Sequence, residues 1–139
     1  MKEEASLKNF IALAIGAFCG TILRYGMGKI VMPLSNGFPL GTLLINLTGC
    51  LFLGWFFTIV LFRWNLPLSI RLGIDTGFIG SFTTFSTFSV ETINLIEIHH
   101  EALALIYVLI SIVGGIASTA IGFAFAKLQT KAKKEGEPA

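Results

Sequence analysis

The chain has 139 residues, of which 54% are hydrophobic and 13% charged, and its mean hydropathy is +0.80. A soluble domain carries about a quarter of its residues charged, so this chain has too few polar groups to face water. One domain solvated by a bilayer is expected, and a soluble enzyme, a disordered chain and a nucleic-acid binder are excluded. The net charge of +2 is too mild to call for a polyanionic partner.

Charged residues cut the chain into apolar runs. Thirty-three uncharged residues separate Lys29 from Arg63, and twenty-five separate Glu101 from Lys127. About 20 apolar residues cross the hydrocarbon core as a helix. The runs are continuously apolar rather than alternating, which selects helix over barrel strand. The fold class expected is therefore all-α membrane protein.

The spans are placed at 9–32, 40–62, 69–96 and 102–126, forming one membrane domain over residues 1–127. Pro33–Pro39, Arg63–Pro67 and Glu97–Glu101 supply the loops. A polar tail over 128–139 is expected to fray. Lys2, Glu3, Glu4 and Lys8 before an apolar run resemble a signal peptide, yet no small-x-small cleavage site follows, so the first span is expected to be retained. Lys2, Lys8, Arg63, Arg71, Lys127, Lys131, Lys133 and Lys134 fall on the side of both termini, against Arg24 and Lys29 opposite. That split predicts cytoplasmic termini in a multi-pass protein of the cell membrane.

Gly16 and Gly20 form a GxxxG in the first span, Gly73 and Gly77 another in the third. Ser111, Gly115, Ser118 and Gly122 repeat the small-residue spacing in the fourth. Such faces let backbones approach closely, within one bundle or against a second subunit. Cys19 and Cys50 lack metal-ligand spacing and read as small buried hydrophobes.

The informative stretch is Gly77–Thr92, GFIGSFTTFSTFSVET, with seven hydroxyl residues in mid-span. Gly77 and Gly80 mark an expected helix interruption, of a kind tolerated at membrane depth where backbone lines a cavity. Hydroxyls bonding to carbonyls one turn earlier would account for one or two of the seven. Phe85 and Phe88, three apart, share a helix face, and their ring edges are electropositive. Packing against lipid is the commoner use of such a pair, but the interleaved polar residues favour a pore wall.

Thr42 and Asn46 lie one turn apart in the second span, and the Asn46 amide can donate to an anion. Asn46-Leu47-Thr48 fits a glycosylation sequon, a reading its position within a span rejects. Tyr107 and Ser111 sit one turn apart in the fourth. Arg24 either snorkels to the headgroups or concentrates anions at an entrance. Glu91 reads as bonding to the hydroxyl track or as a structural cap, Asp75 is placed nearer an interface without a role, and His99 and His100 read as solvated.

These residues resemble the Fluc (CrcB-type) fluoride ion channels. The resemblance rests on GFIGSFTTFSTFS from Gly77 to Ser89, GTLLIN from Gly41 to Asn46, and the segment from Gly20 to Arg24 with Tyr25 and Gly26. It implies a non-enzymatic passive fluoride exporter built as an antiparallel, dual-topology homodimer with two pores. It further implies Phe85 and Phe88 as an aromatic box, Asn46 and Thr42 on the pore wall, Thr84, Ser86 and Thr87 in a hydroxyl region, and Tyr107 and Ser111 beside the pore. Arg24 takes the vestibule position, and the Gly80 and Thr83 backbone carbonyls hold a structural Na+ at the dimer axis. Gly115 stands where some relatives continue the polar track. Dual topology suits little charge bias, so with an 8:2 split either the tail charges count for little or the subunit pairs with an oppositely inserted homologue. A small multidrug-resistance-type proton antiporter is the rival, but it needs a carboxylate in the first span, and 9–32 contains none. A non-transporting scaffold would leave the Ser/Thr/Phe track without a reason.

Overall fold

The computed structural model describes residues 2–31 and 37–135, with backbone alone for 2 and 132–135. Helix α1 covers Lys2–Ile30 and α2 covers Leu40–Phe62. The third stretch begins as α3, Leu68–Leu72, widens into a π-helical segment over Gly73–Ile79, and tightens again in α4, Gly80–Phe82. Thr83 and Thr84 are extended, after which α5 runs over Phe85–Glu97 and α6 over Glu101–Glu135. Among the described residues three helices are long and apolar enough to cross a membrane, at Glu3–Ile30, Leu40–Phe62 and Glu101–Lys131.

Local chemistry explains the boundaries. Pro39 and Pro67 stand directly before α2 and α3, where a missing N–H costs nothing because the first turn has no acceptor for it. Thr84 caps α5 by accepting from the Thr87 N–H, satisfying one of the donors orphaned at a helix start. His99, with φ 59°, makes the turn between α5 and α6. Helical geometry is lost at Thr83 and Thr84. Of the residues expected at the interruption Thr83 falls in it, while Gly77 and Gly80 are helical. Helix α6 continues past Lys127, through Glu135. Residues 32–36 and 136–139, where the first loop and the end of the tail were expected, lie outside the described residues.

Helix α2 packs along α6, α1 packs along α3, the π segment and α4, and α5 rests on α6. The two GxxxG motifs meet each other. A Cβ on Gly16 would strike the Gly73 carbonyl, and one on Gly20 would strike the Phe78 carbonyl. Gly54 and Gly122 play the same part between α2 and α6, against the carbonyls of Thr119 and Leu51. These small-residue stripes are therefore used inside the chain, with Ser81 Oγ adding a 2.9 Å bond to the Ala17 carbonyl. The buried apolar cluster is small, centred on Leu43, Leu95, Ala104 and Tyr107. Large apolar side chains such as Phe10, Phe18, Leu105 and Ile116 face outward, a surface suited to lipid rather than water.

Candidate functional site

Where the third stretch leaves helical geometry, Asn46 of α2 takes over its hydrogen bonding. The Thr84 N–H donates to Asn46 Oδ1 at 2.8 Å, and Asn46 Nδ2 donates back to the Thr84 carbonyl at 3.0 Å. In an unbroken helix the Thr84 N–H would donate to the Gly80 carbonyl. One amide thus replaces the missing helical bonds, which matters because unpaired backbone groups away from water are costly. One Nδ2 hydrogen of Asn46 remains for another acceptor.

Beside this clamp lies a cavity of about 340 Å³ between α2, the helix interruption at Thr83 and Thr84, and α6. It gathers Asn46, Thr83, Thr84, Phe85, Phe88 and Ser111 of the expected site residues, together with Gly49, Cys50, Leu53, Ile79 and Ile112. Ser111 Oγ is buried and has no hydrogen-bond partner among the described residues. Because such a group carries a desolvation cost, a polar occupant would stabilise this spot. The Phe85 and Phe88 rings stand 5.8 Å apart at 39°. Phe85 is 79% exposed, so the cavity is open on that side.

Glu91 organises a second polar knot. Its carboxylate accepts from Thr42 Oγ1 and from the Tyr107 hydroxyl, each at 2.8 Å, tying α2, α5 and α6 together. Tyr107 is fully buried and packs against Phe88 with ring centroids 5.1 Å apart. Thr42, Glu91 and Asn94 face a second cavity of about 320 Å³ bounded by Gly28, Val31 and Gly37. Phe88 lines the first cavity, and Tyr107, in ring contact with it, bonds to the Glu91 carboxylate that lines the second. Arg24 is half-buried on α1, one turn before Gly28, and lines neither cavity.

The hydroxyl residues divide into two groups. Ser81, Thr83, Ser89 and Thr92 bond to carbonyls one turn earlier, at 2.6, 2.9, 2.9 and 2.8 Å. This is four of the seven and corrects the expectation of one or two. Thr84, Ser86 and Thr87 instead cluster at the start of α5, with Thr84 Oγ1 2.9 Å from Thr87 Oγ1; Ser86 and Thr87 do not line the first cavity. Gly80 faces open space, since a Cβ there meets nothing within 4 Å. Cys19 is exposed rather than buried, and Cys50 half-buried. Asp75 Oδ1 is buried and has no bonding partner among the described residues. His99 is solvated, 3.8 Å from Glu101.

Sequence reading gives Glu91 no named partner and passes over Gly49. A Cβ on Gly49 would meet the Thr83 methyl, so this glycine admits the break to its place beside α2. Its spacing of three from Asn46, one helix face, is the available signal. No spacing links Thr42, Glu91 and Tyr107, which only the folded chain brings together.

Residues 11–123 match the family described as CrcB-like protein, Camphor Resistance (CrcB). The chain belongs to the CrcB family. Three curated CrcB relatives illustrate the likeness. "Fluoride-specific ion channel FluC 1" of Moorella thermoacetica is 42% identical over 125 residues, 89% of each chain. "Fluoride-specific ion channel FluC 1" of Bacillus cereus is 47% identical over 115 residues, covering 82% of this chain and 84% of the relative. "Fluoride-specific ion channel FluC 2" of Geobacillus kaustophilus is 39% identical over 123 residues, covering 88% and 95%. With helices long enough to span, this CrcB chain is a multi-pass membrane protein, and the antiporter and scaffold readings fall away.

Proposed function

We propose that the chain is a fluoride-selective channel that lets fluoride leave the cell passively, as the names of its relatives suggest. One observation carries the site: Ser111, whose Oγ is buried without a partner among the described residues, lines a cavity that also holds Asn46 and two phenylalanine rings. Fluoride is small and strongly hydrated, so a route through lipid must replace its water shell. Binding must also stay weak enough for the ion to leave. The spare Asn46 hydrogen, the Ser111 hydroxyl and the electropositive edges of Phe85 and Phe88 are neutral, weak donors of the required kind. The polar knot at Glu91 fixes Tyr107 and, through it, the Phe88 ring.

In this reading the third stretch crosses the membrane as a broken span, giving four crossings, and two copies assemble antiparallel. Supporting the assembly is the open side at Phe85, which a second copy would close. The Lys/Arg bias toward one side keeps a partner with the opposite insertion, itself a homologue, as the second form of the same arrangement. A structural Na+ at the axis is part of the proposal. The donor set fits a hard cation, which takes oxygen ligands: the Gly80 carbonyl has lost its helical donor to Asn46, Thr83 is extended, and Gly80 faces open space. Two carbonyls from each copy would hold the ion and lock the breaks together.

The function is tested in a fluoride-sensitive bacterium lacking its own exporter. Expression of this chain is expected to restore growth at a fluoride concentration that arrests the untransformed strain. Absence of protection with the protein present in the membrane would contradict the proposal.

A further inference from the structure

We infer that the turn between α2 and α3 is a binding site for an anionic phospholipid. A depression of about 530 Å³ opens there, walled by Phe56, Leu66, Ile70 and Ile74 and rimmed by Arg63, Trp64 and Asn65. Apolar walls below a cationic, hydrogen-bonding rim match the two ends of a phospholipid: acyl chain inward, phosphate outward. Arg63 is exposed and has no carboxylate within ion-pair distance among the described residues. Its planar guanidinium suits a phosphate diester.

Independent contacts place this rim at the membrane surface. Trp64 stands edge-on to Trp55 at 6.0 Å and to Phe56 at 6.4 Å. Trp55 Nε1 in turn donates to Gln129 Oε1 at 3.1 Å. The polar end of α6, with Lys127 and Lys131, therefore lies level with the tryptophan pair. Tryptophan is enriched at the lipid–water boundary, and this end of the molecule also carries Arg71. The local field is positive, and a zwitterionic headgroup neutralises it less well than an anionic one.

The chain's own tryptophans provide the assay, because its two tryptophans are Trp64, on the rim, and Trp55, in ring contact with it. Full-length protein is reconstituted in phosphatidylcholine liposomes in which part of the lipid is replaced by brominated phosphatidylglycerol or, separately, by brominated phosphatidylcholine. Both leaflets carry the quencher, so the readout is independent of insertion direction. The inference expects about fivefold relative preference for the anionic lipid, lost in Arg63→Gln and kept in Arg63→Lys. Equal quenching by the two lipids in the unsubstituted protein, or a preference that survives Arg63→Gln, overturns it. The wild-type comparison decides the matter even where the glutamine variant fails to reconstitute. Fluoride transport by Arg63→Gln is expected to match the parent, so this test and that of the channel reading fail separately.

Discussion

Replacing Asn46 by aspartate changes one atom of the clamp and isolates its contribution. The new carboxylate can still accept from the Thr84 N–H, but the atom now facing the Thr84 carbonyl is an oxygen, so the 3.0 Å bond from Nδ2 is lost. Leaving that carbonyl unpaired costs about 1–3 kcal/mol. A larger effect falls on the ion. A carboxylate about 4 Å from a fluoride repels it by about 4 kcal/mol at an effective dielectric constant of about 20. Such a penalty lowers occupancy by roughly a thousandfold at about 1.4 kcal/mol per decade. Fluoride efflux from liposomes, read with an ion-selective electrode, is therefore expected to fall by at least about two decades in Asn46→Asp. Size-exclusion elution should stay unchanged, since the remaining Thr84 bond and the glycine contacts of α1 are untouched. Efflux within a few-fold of the parent, in protein that elutes normally, would refute the placement of Asn46 beside the ion.

Phe85→Ile keeps apolar bulk but removes the ring edge, and should cut fluoride efflux strongly with thermal stability little changed, because Phe85 is mostly exposed. Tyr107→Phe removes a hydroxyl donor to a carboxylate and should destabilise by about 1.5–3 kcal/mol, visible as a lower melting temperature in detergent. Gly16→Val forces side-chain atoms onto the Gly73 carbonyl; overpacking of about 1–3 kcal/mol or more should appear as loss of the monodisperse species on heating. Gly80→Ala meets open space in one chain, so a matching loss of stability there would show instead that a second copy or an ion occupies that face.

How far the sequence speaks depends on whether the signal is local. The ends of α2 fall where hydropathy and Pro39 put them, and the Thr84 cap follows from side-chain chemistry within one turn. The GxxxG pairs are legible as close-packing faces, while their target is not, because an interhelical contact has no sequence period. The glycines mark only the approach to the break, since glycine permits irregular backbone without imposing it. Its position is decided by Asn46, 38 residues away, which offers Thr84 both a donor and an acceptor. Glu91 illustrates the same limit: a carboxylate in a span announces a partner, but Thr42 and Tyr107 are brought to it only by packing of three helices. The count of hydroxyls overstates the polar lining because four of them satisfy themselves locally, leaving a smaller polar set at the cavity than their number suggests.

The most direct test of the ion pathway is a comparison of two anions through the purified, unsubstituted protein. Liposomes loaded with potassium fluoride or potassium chloride are diluted into impermeant-anion buffer, and efflux is started with valinomycin. Rapid release of fluoride is expected, with chloride release no faster than from protein-free vesicles, because the cavity offers weak neutral donors fitted to a small anion. Equal release of both anions, or no release of fluoride above that of empty vesicles, would contradict it.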